Sequence, residues 1–128
     1  MSGRVVHFEI PAEDVERASA FYADAFGWEL SSMPDMDYTI ISTTAADEQG
    51  RPTEPGAING GMFERQSDLT SPVVTIDVDD IDAALTKVGE LGGKVVRAKM
   101  SVGDMGFAAY FTDSEGNLLG LWQTAPSA

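Results

Sequence analysis

The sequence predicts an α+β protein built from two pseudo-symmetric modules, each running strand, helix, strand, strand, strand. Two observations carry that expectation. Val5-Val6-His7-Phe8-Glu9-Ile10 and Val73-Val74-Thr75-Ile76-Asp77-Val78 are short β-branched runs, each followed by an aspartate and then an apolar stripe at helical spacing. Asp14 and Gly27, at the two ends of the first helical stretch, recur at one common spacing as Asp80 and Gly93, and the same spacing carries His7 to Val73. A repeat present twice points to one pseudo-symmetric domain rather than a solenoid, which needs at least three copies to bury its core. The expected organisation is a single domain over 1–128, with module 1 at about 4–63, a linker at 64–72 and module 2 at about 73–124.

The first strand ends at Pro11. Asp14 is a good N-cap, since its carboxylate can accept from the free N–H groups of the next turn. Val15, Ala18, Phe21 with Tyr22, and Ala25 with Phe26 then form one apolar stripe expected to lie on a sheet, with Gly27 as the stop. Trp28-Glu29-Leu30 and Tyr38 to Thr43 read as strands joined by a Met33-Pro34-Asp35 turn. Ala45 to Pro55 is rich in Asp, Glu, Gly and Pro and reads as a solvated loop, of a length that can also cover a site. Ala57 to Phe63 is the fourth strand, where Gly60-Gly61 marks either a bulge or a close approach to the backbone. Glu64 to Pro72 is a polar linker.

In the second module Asp80 caps a helix with the stripe Ile81, Ala84, Leu85, Val88, Leu91, ended by Gly92-Gly93. Val95 to Val102, Phe107 to Thr112 and Leu118 to Gln123 read as strands. Asp113-Ser114-Glu115-Gly116-Asn117 is a hairpin turn with Gly116 suited to the left-handed position.

Composition narrows the function. The chain has 128 residues, 43% of them hydrophobic, which is ordinary for a globular protein with a real core. A net charge of −13 argues against nucleic acid, which is bound chiefly through Lys and Arg on phosphates, and against an anionic membrane surface. No cysteine is present, so no disulfide, thiolate metal site or cysteine nucleophile is possible. Met1-Ser2-Gly3-Arg4 runs directly into strand, and no run approaches the eighteen or so apolar residues of a membrane span. The expected location is cytoplasmic. His7 is the only histidine and the one side chain whose ordinary pKa lies near neutrality.

Several segments together resemble the vicinal oxygen chelate superfamily, which includes glyoxalase I, extradiol dioxygenases and bleomycin resistance proteins. They are Asp14-Val15-Glu16-Arg17-Ala18 followed by Phe21-Tyr22 and Phe26-Gly27-Trp28, then Val78-Asp79-Asp80-Ile81, and Asp113-Ser114-Glu115-Gly116-Asn117 before the last strand. The resemblance covers nearly the whole chain. It implies two βαβββ modules whose mixed sheet curls into a cup with helices outside, a small-molecule site within, and pairing as a homodimer. Metal-using members take one ligand, usually His, Glu or Gln, from the first and fourth strand of each module. His7 has the family's spacing for the first ligand; the others fall on Val73, Gly120 and somewhere in Gly60-Gly61-Met62. A divalent ion wants at least three N or O donors. No metal and no cofactor is therefore expected.

Strand alternation fills in that cup, because residues two apart share a face. If His7 faces inward, so do Val5 and Glu9, while Val6, Phe8 and Ile10 meet the helices. Val73, Thr75 and Asp77 follow by the repeat, with Val74, Ile76 and Val78 outward. In the last strand Gly120 and Trp122 share the cup face, and the hairpin sets Tyr110 opposite Gly120. Gly61 and Gly120 would leave room for a ligand. The expected contacts are His7, Glu9, Tyr38, Gly61, Val73, Thr75, Tyr110, Gly120 and Trp122, a mixture of aromatic and polar groups usual for small-molecule sites. His7 and Glu9 are the acid/base candidates. Each has a plainer reading: a satisfied structural histidine, a solvated carboxylate, tyrosine hydroxyls that end in water at the rim, tryptophans that only pack. Arg97 and Lys99, on one strand face, are the best groups for an anionic ligand or else a solvated surface. Three classes stay open: a metal-free binding protein, a glyoxalase-like lyase or a cofactor-free isomerase or dioxygenase relative using His7 and Glu9, and a non-catalytic dimeric interaction protein.

Overall fold

The computed structural model describes residues 3–48 and 51–126 and divides into two compact units, residues 7–72 and residues 1–6 with 73–128. Met1 and Ser2, and Gln49 and Gly50 within the expected loop, lie outside the described residues. The first unit holds β1 (Val5–Ala12) from His7 onward, α1 (Val15–Phe26), β2 (Glu29–Met33), a 3-10 turn (Pro34–Met36), β3 (Tyr38–Ser42) and β4 (Gly60–Glu64). Its strands lie in the order β2-β3-β4-β1, antiparallel except for the parallel β4–β1 pair. The second holds β5 (Val73–Asp77), α2 (Ile81–Glu90), β6 (Lys94–Val102), β7 (Gly106–Thr112) and β8 (Leu118–Thr124). They lie in the order β5-β8-β7-β6, with β5–β8 parallel. The protein is α+β.

Helix ends follow the local chemistry. The Asp14 side chain accepts from the Arg17 N–H at 3.0 Å, and Gly27 closes α1 at φ +74°, donating to the Ala23 carbonyl at 2.9 Å. Asp80 likewise accepts from the Ala83 N–H at 3.2 Å, and the Gln123 side-chain oxygen takes the Ile81 N–H at 2.9 Å. Gly92, at φ +98°, turns the chain after α2. In the hairpin before β8, the Asp113 carboxylate accepts from the Asn117 and Glu115 N–H groups at 2.9 and 2.8 Å, bonds that hold its pKa below the usual value. Gly116 takes the left-handed conformation, at φ +83°.

Each sheet buries one face against its helix. In the first unit Ala12, Ile41 and Met62 form a buried cluster onto which Phe8, Ile10, Val15, Ala18, Tyr22 and Trp28 pack. In the second, Ile81, Leu85, Ala109, Phe111 and Leu121 are joined by Ile76, Val78 and Leu119. A fully buried aliphatic side chain of this kind contributes about 2 kcal/mol.

Several expectations are corrected. The α1 stripe is narrower than its spacing implied: Phe21 is 59% and Phe26 64% exposed, because Tyr22 takes the contact by stacking on Trp28 at 4.9 Å. Leu91 is exposed past the end of α2, and Val74 is exposed although Ile76, two residues on along the same face of β5, packs against the α2 cluster. Arg97 and Lys99 do not share a face. Register shifts in β6 leave Arg97 paired with Tyr110, whereas Lys99 turns to the helix side, 3.7 Å from the Asp82 carboxylate and 4.4 Å over the Phe107 ring. Finally, 64–72 is not a purely polar spacer, since Leu69 is buried and Gln66 and Leu69 bond each other's backbones.

β4 starts at Gly60 rather than Ala57 because Asn59 is used as a pin. Its side-chain oxygen accepts from the Thr43 and Thr44 N–H groups at 2.7 and 3.1 Å, and its amide donates to the Thr44 carbonyl at 3.2 Å. Asn59→Ala leaves those groups unpaired and is expected to lower stability by about 2 kcal/mol. Urea unfolding checks the loss, and amide exchange should quicken first at Thr43 and Thr44.

Candidate functional site

The face of the first unit's sheet opposite α1 is set by register. Glu9 and Ile40 both pair with Gly61, so His7, Glu9, Tyr38, Ile40 and Gly61 share the side opposite Phe8, Ile10, Ile41 and Met62. At its centre Tyr38 reaches across Gly61. A Cβ on Gly61 would overlap the Tyr38 hydroxyl and ring, so only glycine lets the ring lie there. The Tyr38 hydroxyl donates to Glu9 Oε2 at 2.8 Å and meets His7 Nε2 at 2.9 Å. Three side chains from two strands thus form one hydrogen-bonded row.

Burial shapes the electrostatics of this row. Glu9 is only 8% exposed, not the solvated carboxylate its place on a half-exposed strand allowed. A buried carboxylate needs strong partners, and the Tyr38 hydroxyl is one of them. His7 is half-buried; desolvation pushes its pKa below the ordinary 6.5, and the nearby Glu9 carboxylate partly offsets this. The imidazole is therefore neutral at pH 7.

Val73, Thr75, Tyr110, Gly120 and Trp122 belong to the second unit, where Thr75 and Tyr110 both pair with Gly120 on the sheet face opposite α2. A Cβ on Gly120 would stand 3.0 Å from the Thr75 hydroxyl oxygen and 3.3 Å from a Val73 methyl, so these two side chains narrow the room expected there. Trp122 donates from its indole to the Thr124 hydroxyl at 3.1 Å, and its ring covers the space beside Gly106. Trp28, by contrast, packs on the helix side, with Tyr22 and Phe8.

The metal that the family resemblance implies can be tested against these donors. Gly61 is the β4 position sharing a face with His7 and Glu9, and it has no side chain. Met62 points into the helix-side core. Val73 and Gly120 offer no lone pair, and the Tyr38 hydroxyl already meets His7 Nε2. Among the described residues no group of three His, Asp or Glu is placed to hold an ion. The residues do not fit a divalent metal.

A concavity of about 350 Å³ in the same unit lies on the helix side, beside Ile10, Arg17, Phe21, Tyr22 and Arg65, and excludes the His7 row. Sequence reasoning named Tyr38 and Gly61 separately but missed that one accommodates the other. The signal was present in the glycine pair of β4 at the register position of Glu9.

Two outcomes follow from this geometry. Gly61→Ala should displace Tyr38 and cost about 2 kcal/mol, and much less in a Tyr38→Ala background; a double-mutant cycle by urea unfolding measures the coupling. Because the folded-state pKa of His7 is depressed, the unfolded chain binds the extra proton below pH 6.5. Stability should then fall as pH drops from 6.5 toward that lower value. The fall should be smaller in His7→Gln, measured by unfolding at paired pH values.

Comparisons with known proteins agree on one relationship. Residues 4–44 match the family model described as bleomycin resistance protein-like N-terminal. A glyoxylase-like domain-containing protein of Didymella fabae is 32% identical over 91% of this chain and 91% of its own length. A probable lactoylglutathione lyase of Vibrio parahaemolyticus is 25% identical over 95% of this chain and 91% of its own. Among solved structures, a Streptomyces coelicolor methylmalonyl-CoA epimerase superposes with a TM-score of 0.65 at 17% identity, covering 98% of this chain and all of that one.

Proposed function

The chain belongs to the vicinal oxygen chelate superfamily, and on that ground we propose that it binds a small molecule at the sheet face carrying His7, Glu9 and Tyr38, in a site organised by hydrogen bonds rather than by a divalent ion. The observation that supports this is the Tyr38 hydroxyl, which bridges His7 and Glu9 across the bare backbone of Gly61. A pre-ordered row of polar groups is what fixes a ligand's orientation, and it carries little ordering cost at binding. Ile40 supplies apolar surface beside it. The Thr75, Tyr110 and Trp122 face of the second unit offers hydroxyl and aromatic contacts of the same kind.

The ligand is of mixed polarity and not strongly anionic. Eight basic residues stand against twenty-one acidic ones, and Lys99 is already engaged by Asp82 and Phe107. This favours neutral aromatic or carbonyl compounds over glutathione conjugates with several carboxylates.

Three measurements test the reading. Purified protein should carry no stoichiometric zinc, nickel, iron, manganese or magnesium; about one metal per chain, retained through dialysis and lost in His7→Ala, would overturn the metal-free site. In a thermal-shift screen of small aromatics, antibiotics and α-oxoaldehyde adducts, a ligand at a hundredfold its Kd should stabilise the protein by about 2.7 kcal/mol. Tyr38→Phe should weaken it roughly tenfold, a hydrogen bond's worth, whereas a flat screen supports an interaction protein instead. Pairing as a homodimer predicts twice the 13.6 kDa chain mass in light scattering, and a particle of the chain mass at micromolar concentration rules it out.

A further inference from the structure

We propose that His7 is the proton acceptor of this site, taking an acidic O–H or N–H hydrogen from a neutral bound molecule at Nδ1, while Tyr38 and Glu9 act as positioning residues. The inference rests on the small-molecule reading of the same face. A tyrosine hydroxyl has one proton, and Tyr38 gives its proton to Glu9 Oε2 at 2.8 Å. Its oxygen can then meet His7 Nε2 at 2.9 Å only as an acceptor, so Nε2 carries the ring proton. A neutral imidazole has one N–H, which leaves the lone pair on Nδ1.

That lone pair is reachable. Tyr38 is the hydrogen-bond partner of His7 among the described residues, and it meets Nε2. No buried side-chain nitrogen or oxygen among them lacks a partner. Nδ1 is therefore not sealed from solvent. Burial keeps the ring neutral and able to accept at pH 7, and Glu9 from β1 and Tyr38 from β3 share its face with a bare glycine from β4.

The row is oriented for transfer. As Nδ1 takes the proton, the bonding pair stays on the ligand oxygen or nitrogen and the ring becomes imidazolium, held through Nε2–H to Tyr38 and by the Glu9 charge beyond it. Return of the proton to the same or another ligand atom restores the neutral ring, so no oxidant, reductant or co-reactant is consumed. The charge balance selects the ligand class. In a chain of net charge −13 an anion is disfavoured, whereas a phenol, enol or imide can enter neutral and share its hydrogen with His7.

A single histidine makes the test direct, and it needs no natural ligand. Long-range ¹H–¹⁵N spectra of the native protein at pH 7 should show a protonated Nε2 and an unprotonated Nδ1. Glu9→Gln should lower the His7 pKa, since the carboxylate raises it, and Tyr38→Phe should erase the tautomer preference. Diethyl pyrocarbonate should acylate native His7 at a rate following its neutral fraction, with no signal in His7→Ala. An Nδ1–H tautomer in the native protein overturns the proposal. So does failure of native His7 to react while the urea-unfolded chain does. A flat ligand screen would sink the binding reading without changing any of these results, so the two failures are distinguishable.

Discussion

The candidate site depends on one steric exclusion: the Tyr38 ring lies where a side chain at position 61 would stand. The consequence reaches both neighbours. With the ring seated, its hydroxyl falls between His7 and Glu9 and links these two polar groups of β1 into a connected row. Without it, a carboxylate that is 8% exposed would lose one of its hydrogen-bond donors. Glycine contributes here by absence.

The opposite side of the same strands holds that arrangement in register. Ile41 and Met62 are fully buried between the sheet and α1. A one-residue slip of β3 or β4 would carry them out and bring Tyr38 or Gly61 onto the helix side. Apolar packing on one face thus positions the polar row on the other, and the parallel β1–β4 pairing sets Glu9 beside Gly61. Charge plays a smaller part. Most acidic residues are exposed, and the surface ion pairs Arg51–Asp47 and Arg65–Glu13, at 3.6 and 3.7 Å, contribute little beyond solubility.

Much of the fold was legible from local rules. Asp14, Asp80, Gly27 and Gly116 take the caps and turns their chemistry predicts, and alternation sorted Phe8, Ile10, Ile76 and Leu121 onto the helix sides. What escaped was nonlocal. Period alone could not show that Val74 is exposed while Ile76 on the same face packs, or that register shifts in β6 carry Lys99 away from Arg97. In α1, helical spacing admitted Phe21 and Phe26 to the stripe, but Tyr22 stacked on Trp28 occupies the contact.

The site was legible as a set of residues and illegible as a row, for a related physical reason. Alternation assigns a face to each residue but says nothing of how far a side chain extends along it. Tyr38 enters at the start of β3 and spans the neighbouring β4 to reach β1, a reach that only the absent side chain at Gly61 permits. The same position explains the poor fit to a divalent ion. A donor on residue 61 and the Tyr38 hydroxyl exclude one another in this geometry, so the residue that removes a metal ligand also makes room for the hydrogen bonds. The poor fit to an ion and the ordering of the hydrogen bonds both trace to a single glycine.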